Sequence, residues 1–233
     1  MELIPNLTNP KALKYLKFIR ENHERQIKEY PKLVAARKPR FDYQNLPDTH
    51  RLSYELLTWD NFRLMLDLFQ NDPNPYLAQD FKSLELLEDY AVGQLEYARY
   101  SFKHGACDWF LRLKDTNDLV GTLHIYDLNW ELYDGKHPAC VIGYGIAEKF
   151  RRQGFATEAM QHLLQQIPLI FKRYEVLANP KIANTASRRL LENLGFTEEC
   201  ERGSDESWWE KKLVSNIPLK TVAQAREEQE KYR

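Results

Sequence analysis

Hydrophobic and polar residues follow regular patterns from Arg51 to about Val214. Strict alternation of apolar and polar positions predicts a strand, whereas apolar residues that recur at the helical period predict a helix. By these patterns the chain runs strand, two helices, three strands, helix, strand, helix and two closing strands. The segments are, in order, RLSYELL, NFRLMLDLF, DFKSLELLEDYAVGQLEYARYSF, CDWFLRLK, LVGTLHIYDL, ACVIGYGIA, GFATEAMQHLLQQI, YEVLA, ANTASRRLLENLGF and FTEECERGSDESWWEKKLV.

The order of these elements predicts the fold class. Strands that follow one another directly favour antiparallel pairing, and a strand–helix–strand unit favours parallel pairing. We therefore expect an α/β (α+β) fold, with a mixed, largely antiparallel sheet flanked by helices and an added N-terminal helix.

Both ends of the chain differ from this central region. KALKYLKFIRENHERQIKEY predicts a helix that Asn9 caps and Pro10 begins. Its apolar side would hold Leu13, Leu16, Ile19 (or Phe18), Ile27 and Tyr30. Ten Lys and Arg against five Asp and Glu through Asn45 give a charge of +5, which leaves −6 for the remainder of a chain of net charge −1. We expect a basic helical extension over 1–48, a main domain over 49–214 and a polar helical tail over 215–233.

Composition narrows the class of protein. The chain has 233 residues, 43% hydrophobic and 29% charged, as in an ordinary globular protein. A net charge of −1 gives no reason to expect nucleic acid as a partner. Cys107, Cys140 and Cys200 form no CxxC pair, so neither a disulfide framework nor a zinc site is expected. With no signal-like apolar start and no run long enough for a membrane span, we expect a cytoplasmic protein without membrane contact.

One junction concentrates candidate chemistry. FRRQGFATEAMQHLL, residues 150–164, places two arginines and a glycine directly before an amphipathic helix. The first turn of a helix has free N–H groups and a positive dipole end, which together attract anions. Gly154 lets a phosphate approach the backbone, and Arg151 and Arg152 add donors suited to it. The stretch therefore predicts a pyrophosphate-binding loop.

This part of the chain matches neither of two common phosphate-binding motifs. A Walker loop requires GxxxxGK followed by Ser or Thr, which the sequence lacks. Gly143-Tyr144-Gly145 begins like a dinucleotide fingerprint, but Glu148 stands where the third glycine belongs. A charged loop before an ordinary helix remains an open alternative.

At this point the sequence resembles a known family. Arg151-Arg152-Gln153-Gly154-Phe155-Ala156 is similar to the Q/R-x-x-G-x-G/A signature of the GNAT superfamily of acetyl-CoA-dependent N-acetyltransferases. Asn184-Thr185-Ala186-Ser187, followed by Leu194-Gly195-Phe196, resembles the branch that includes the ribosomal-protein N-terminal (alanine/serine) acetyltransferases. The resemblance covers about residues 50–214 and implies a sheet split into a V between strands at 140–147 and 174–179.

The resemblance also implies a set of site residues. The pantetheine arm of acetyl-CoA would pair with the backbone at Ile146 and Ala147, and Asn184 would hold that arm. Ser187 would donate a hydrogen bond to the departing thiolate, although Asn184 and Ser187 also read simply as a helix cap and first turn. The pyrophosphate would bind near Arg151 and along the N–H groups of Arg152, Gln153, Gly154, Phe155, Ala156 and Thr157. No metal is implied.

Acetyl transfer sets further demands on the site. An amine must be neutral to attack, and an α-amine with a pKa of about 7.7–8.0 needs less help than a lysine. His124 and Tyr144 are candidate catalytic groups on the strands, Asp127 and Glu131 lie at the connection between these strands, and a water relay is an equal alternative. NWELYDGKHP, Trp208 and Trp209 are candidates for an acceptor cleft, and the acidic helix from Asp80 to Glu96 would suit a cationic acceptor.

The sequence therefore predicts an acetyl-CoA-dependent N-acetyltransferase that acts on a primary amine, either a small molecule or a peptide N-terminus, by direct attack in a ternary complex. A catalytically silent acyl-CoA-binding sensor or scaffold is the alternative. The N-terminal helix either packs on its own domain or serves a protein partner or self-association, and an interaction protein built around that helix is a further alternative.

Overall fold

The strands form one mixed sheet. The structure, a computed structural model, describes residues 5–32, 45–98, 105–128, 139–202 and 205–213. The strands are β1 (Leu52–Leu56), β2 (Cys107–Leu113), β3 (Leu119–Tyr126), β4 (Ala139–Ile146), β5 (Glu175–Ala178), β6 (Thr197–Arg202) and β7 (Glu206–Lys212). In this part of the chain they lie in the order β1-β2-β3-β4-β5-β7-β6. Only β4 and β5 are parallel within it, which confirms a mixed, largely antiparallel sheet.

Helices connect and cover these strands. They are α1 (Pro10–Glu29), α2 (Leu64–Phe69), α3 (Leu84–Val92), α4 (Phe155–Gln166) and α5 (Thr185–Asn193). α2 is shorter than NFRLMLDLF predicts, because its first residues form turns. α4 ends at Gln166, two residues before Pro168. A π-helical turn over Ile167–Phe171 carries the chain past this proline, which cannot donate to the regular ladder.

The register assigns the side chains to two faces. Asp108 pairs with His124 and Trp109 with Leu123, and cross-strand partners share a face. On the Trp109 face, its ring lies 6.2 Å from that of Phe171, just beyond α4. On the His124 face, its ring stacks at 6.3 Å from that of Phe81, in the turn before α3. The sheet therefore lies between α4 on one side and α2 with α3 on the other.

The sheet opens between β4 and β5. Their pairing is limited to three positions and ends at Val141 and Leu177, although β4 continues to Ile146. Beyond that point the two parallel strands diverge. This is the V that the family resemblance implies.

α1 packs on its own domain. Asn9 caps this helix and Pro10 begins it, as predicted. Buried Glu88 of α3 accepts hydrogen bonds from the Thr8 N–H at 2.8 Å and the Asn9 N–H at 2.5 Å. The guanidinium of Arg20 pairs with buried Glu96 at 2.6 Å. Two carboxylates of the acidic segment from Asp80 to Glu96 are therefore used to hold α1, rather than to bind a cationic acceptor.

The buried face of α1 agrees with the prediction at Leu16 and Ile19 but not at the other positions. Its buried residues are Ala12, Leu16 and Ile19, whereas Leu13, Phe18, Ile27 and Tyr30 are exposed. These buried positions all lie in the first half of the helix. A partner or self-association through α1 stays a prediction.

Several predicted features lie outside the described residues. These are the loop 129–138 with Glu131, the tail 215–233 and most of the linker after α1. Among the described helices, none combines the length and the apolar character that crossing a bilayer requires.

Candidate active site

The opening between β4 and β5 contains a cavity of about 330 Å³. Its floor is the Ile142–Gly145 segment of β4, and its far wall is the end of β5 with the start of α5. Tyr76 closes part of the top, because its hydroxyl donates to the carbonyl of Ala183 at 3.0 Å. The split of the sheet thus creates a space bounded on three sides by fixed elements.

β4 presents free backbone groups to this cavity. The Ala147 N–H donates to the Val120 carbonyl at 2.9 Å, so it is used within the sheet. Backbone groups of an antiparallel strand alternate in direction, so both groups of Tyr144 and the N–H of Ile146 point away from β3, whereas the Ile146 carbonyl accepts from Arg151. The Ala147 N–H is therefore not free to pair with a cofactor arm as predicted, and the pairing of an arm with Ile146 stays a prediction.

The loop before α4 has the geometry of an anion site. The first intrahelical hydrogen bond joins the Glu158 N–H to the Gly154 carbonyl at 3.0 Å, which leaves the N–H groups of Phe155, Ala156 and Thr157 ahead of the ladder. No side chain caps this helix. Gly154 has φ +83°, a conformation that glycine adopts without strain. These observations fit the pyrophosphate of an acyl-CoA.

The arginines around this loop have distinct roles. Arg151 pairs with Asp72, and its Nε donates to the Ile146 carbonyl at 2.9 Å. This pair anchors the loop, so the Arg151 side chain is not directed at a phosphate as predicted. Burial raises the pKa of the Asp72 carboxyl, but hydrogen bonds from Arg151 and Asn74 outweigh this and lower it. Arg152 is exposed and has φ +60°, so its side chain is available beside Gly154.

Arg51, which directly precedes β1, also contacts this loop. The sequence did not predict this residue as part of the site. Its Nη1 donates to the Gln153 carbonyl at 3.0 Å, and its Nε pairs with Glu158 at 2.6 Å. A Cβ added at Gly154 would lie 3.4 Å from Arg51 Nη2. Since Arg51 is about a hundred positions from the motif, no local signal links it to the loop. Gln153 itself turns back, with its Nε2 donating to the Lys149 carbonyl at 2.9 Å.

Asn184, Ser187 and Tyr144 meet at the α5 end of the cavity. Asn184 caps α5, since its Oδ1 accepts from the Ser187 N–H at 3.1 Å, which confirms the capping interpretation. The side chains of Tyr144 and Ser187 approach each other across the opening. Burial raises the pKa of the Tyr144 hydroxyl, and the neighbouring Ser187 offsets part of that rise. Tyr144 therefore remains a proton-bearing donor at neutral pH.

A buried polar network forms the opposite wall of the cavity. His124 Nδ1 contacts the Asp108 carboxylate, and His124 Nε2 lies 2.9 Å from Thr122 Oγ1. The Tyr90 hydroxyl donates to Asp108 at 2.6 Å and lies beside the hydroxyl of Tyr126. Burial raises the pKa of each tyrosine hydroxyl well above the ordinary value of 10.0. Of this set, only His124 was predicted as a site residue.

The other candidates lie elsewhere. Trp209 is only 2% exposed, and its indole N–H donates to Ser207 at 2.9 Å. Neither Trp208 nor Trp209 lines the described walls of the cavity, so the prediction that they form an acceptor cleft is wrong there. Asp127 follows β3 and is not among those walls either. Within the described ranges, no three His, Cys, Asp or Glu side chains are grouped to hold a metal ion.

Comparison with known proteins agrees with this geometry. The acetyltransferase (GNAT) domain family matches residues 51–197, which is more than half of the chain. The chain therefore belongs to the GNAT acetyltransferase family. Members of this family use acetyl-CoA as the acetyl donor, so the protein is an acetyl-CoA-dependent N-acetyltransferase.

Individual relatives are distant. The chain is 28% identical over 154 residues to the uncharacterized N-acetyltransferase YoaA of Bacillus subtilis (strain 168), a match covering 65% of this chain and 82% of that protein. RimL, a ribosomal L7/L12 alpha-N-protein acetyltransferase solved with coenzyme A, is 17% identical to this chain, with a TM-score of 0.55. The match covers 72% of this chain and 98% of RimL. A dodecameric spermidine N-acetyltransferase from Vibrio cholerae is 18% identical, with a TM-score of 0.54. That match covers 71% of this chain and 95% of the other chain. At these identities the solved structures show the shared fold.

Proposed function

We propose that the protein transfers the acetyl group of acetyl-CoA to a primary amine by direct attack, with both substrates bound in the opening of the sheet. The main observation that supports this proposal is one continuous cavity that reaches both the Tyr144–Ser187 pair and the His124 network. Because these groups lie at different walls, a thioester and an amine can meet between them without a covalent acetyl-enzyme.

Different residues of the chain bind the pyrophosphate and the pantetheine arm of acetyl-CoA. When bound, acetyl-CoA supplies the acetyl group as a thioester. The free N–H groups of Phe155, Ala156 and Thr157 hold its pyrophosphate, with Arg152 and Arg51 adding positive charge. The backbone of β4 at Tyr144 and Ile146 orients the arm, and Asn184, which already fixes the start of α5, contacts it from the other side.

Two hydroxyls serve the leaving group. The Ser187 hydroxyl donates a hydrogen bond to the departing thiolate, and Tyr144 supports it across the opening. A thiol with a pKa of about 8.5 leaves readily once it is stabilised in this way. The Ile146 N–H, which faces the opening, stabilises the carbonyl oxygen as charge develops.

The acceptor is a primary amine, either a peptide N-terminus or a small amine. Aromatic side chains of Tyr76, Phe81, Tyr90 and Tyr126 line the acceptor side of the cavity. Faces of aromatic rings attract an ammonium group, and a carboxylate behind them strengthens that attraction. The names of the structural relatives, a ribosomal-protein acetyltransferase and a spermidine acetyltransferase, support both acceptor classes.

The test has two arms on one preparation. Calorimetry measures the binding of acetyl-CoA, and thiol release is then followed with spermidine and with peptides that carry a free N-terminus. Binding with release for a free peptide, and none for the same peptide N-acetylated beforehand, would support transfer to an α-amine. Release with spermidine alone would assign a small amine, and binding without release for any amine would contradict the proposal.

A further inference from the structure

The wall of the cavity that contains His124, Tyr90 and Tyr126 is called the acceptor wall here, because the acceptor amine would face it. The buried polar network on this wall is organised around one carboxylate. Asp108 is 3% exposed, and a buried carboxylate is costly unless donors surround it. The Tyr90 hydroxyl supplies one donor at 2.6 Å, and the His124 ring supplies another through Nδ1. The Tyr126 hydroxyl lies beside that of Tyr90. Asp108 thus orients both the Tyr90 hydroxyl and the His124 ring.

This arrangement fixes the tautomer of His124. Nδ1 must carry a proton, since a bare nitrogen lone pair would repel the Asp108 oxygen beside it. In the neutral ring the lone pair is then on Nε2, where it accepts from the Thr122 hydroxyl at 2.9 Å. The neutral imidazole is therefore poised to take up one more proton, at Nε2.

The cavity reaches the edge of the ring that carries Nε2. Gly143 lies opposite His124 in the register, and a Cβ added there would be 3.9 Å from His124 Cδ2, the ring carbon next to Nε2. Both Gly143 and His124 line the cavity. The missing side chain at Gly143 thus leaves a passage from the acceptor space to the basic side of the imidazole.

We propose that His124 accepts the proton of the acceptor amine, and that Asp108 is the positioning residue that holds His124 for this role; this rests on the proposed function. An N–H bond of the acceptor ammonium breaks, directly or through one water, and an N–H bond forms at His124 Nε2. The Thr122 hydroxyl rotates from donor to acceptor of that new N–H. The carboxylate of Asp108 stabilises the imidazolium that results.

The same three residues resemble a nucleophilic triad, but their burial argues against that use. Thr122 is 0% exposed and is not part of the cavity wall, so its oxygen cannot reach a thioester. Other groups near the ring are few among the described residues. Tyr90 approaches it from α3, Phe81 from the preceding turn and Tyr126 from β3, while Asp80 acts electrostatically on Tyr126. Asp108 is the only anion among them in contact with the imidazole.

The experiment compares the wild-type protein with His124→Gln and Asp108→Asn, and uses His162→Gln as the matched control. His162 is a second histidine, on α4 at the other face of the sheet, where it stacks on Tyr54. Acetyl transfer is measured against pH with spermidine and with a peptide bearing a free N-terminal serine. The protonation of His124 is read in parallel from the ring ¹⁵N chemical shifts of the labelled protein.

The proposal expects a neutral ring with the proton on Nδ1 at the pH of activity. His124→Gln should lower kcat about 100-fold with little change in KM for acetyl-CoA. Asp108→Asn should also lower kcat and move the acid limb of the pH profile to lower pH, because a negative charge that favours the imidazolium is lost. His162→Gln should leave the profile in place.

Three results would overturn it. The first is His124→Gln with wild-type kcat, and the second is a proton on Nε2 in the resting protein. A wild-type protein inactive with both amines would overturn the proposed function, and with it this inference, whereas an active wild type with an unaffected His124 variant overturns the inference alone. If Asp108→Asn does not fold, the tautomer and the His124→Gln kinetics decide the question.

Discussion

Tyr144 on β4 and Ser187 in the first turn of α5 face each other across the gap where the sheet divides. The two residues are brought together by the divergence of β4 and β5, which leaves room for a tyrosine ring to cross. α5 itself contains no tyrosine. Tyr144 reaches the same end of the cavity from the sheet.

Ser187→Ala should therefore lower turnover more than it lowers cofactor affinity. Removal of a hydrogen bond to the departing thiolate costs roughly 10- to 100-fold in kcat, whereas the Kd of acetyl-CoA should change less than about threefold. Tyr144→Phe should show a smaller decrease, since it acts through Ser187. Steady-state kinetics and calorimetry on the same variants check this, and equal turnover in Ser187→Ala would remove its role.

Asn184 has two separable roles that a pair of variants distinguishes. Asn184→Ala loses the cap and should cost about 1 kcal/mol of unfolding free energy together with cofactor affinity. Asn184→Asp keeps a capping oxygen for the Ser187 N–H but loses the amide donor. It should retain stability and still bind acetyl-CoA more weakly. Chemical denaturation and calorimetry measure the two effects, and full affinity in Asn184→Asp would mean that Asn184 is only a cap.

Gly154→Glu should abolish acetyl-CoA binding. A side chain here would project toward Arg51 and place a carboxylate where the phosphates bind, at a backbone with φ +83°. Gly154→Ala is the control, because it adds the strain of about 1–2 kcal/mol without the charge. Calorimetry should show at least about 100-fold weaker binding for Glu than for Ala. Unchanged affinity in a folded Gly154→Glu protein would show that this loop binds no phosphate.

Glu158 links the loop to β1 and makes part of the stability pH-dependent. Burial raises the pKa of this carboxyl, but bonds from Thr49 and Arg51 outweigh it and bring the pKa below its ordinary value of 4.5. A lowered folded-state pKa gives stability that is complete above the unfolded value and is lost as the pH falls through the folded value.

Glu158→Gln should thus be less stable than wild type at pH 7, by up to about 1 kcal/mol for a pair that water partly screens. The difference should shrink as the pH drops below about 4. Urea denaturation at several pH values measures it. A gap between the two proteins that stays constant with pH would contradict the electrostatic origin.

The elements around the cofactor loop could be predicted from the sequence because their signals are local. The apolar run of β4, the glycine at 154 and the spacing of α4 and α5 lie within about fifty residues of one another. Gly195, with φ +78°, likewise ends α5 where the pattern predicts. Such features follow from the order of residues alone.

The acceptor wall could not be predicted in the same way. Asp108, Tyr90 and His124 come from three elements, and only the antiparallel register of β2 with β3 and the placement of α3 bring them together. In sequence, Asp108 is one polar residue in a strand, and Tyr90 is one aromatic on an amphipathic helix. The failed assignment of Arg151 has a similar cause, since its partner Asp72 lies in a distant turn.

The division of β4 from β5 separates the two ends of the reaction by secondary-structure element. In the proposed arrangement the donor side comprises the loop before α4 and the start of α5, and the acceptor side comprises α3 and the neighbouring turn. The repertoire of amines can therefore diverge among related chains through changes in that helix and turn, while the donor half stays untouched. A graft of the segment from Tyr76 to Tyr90 onto a related scaffold would carry acceptor preference with it.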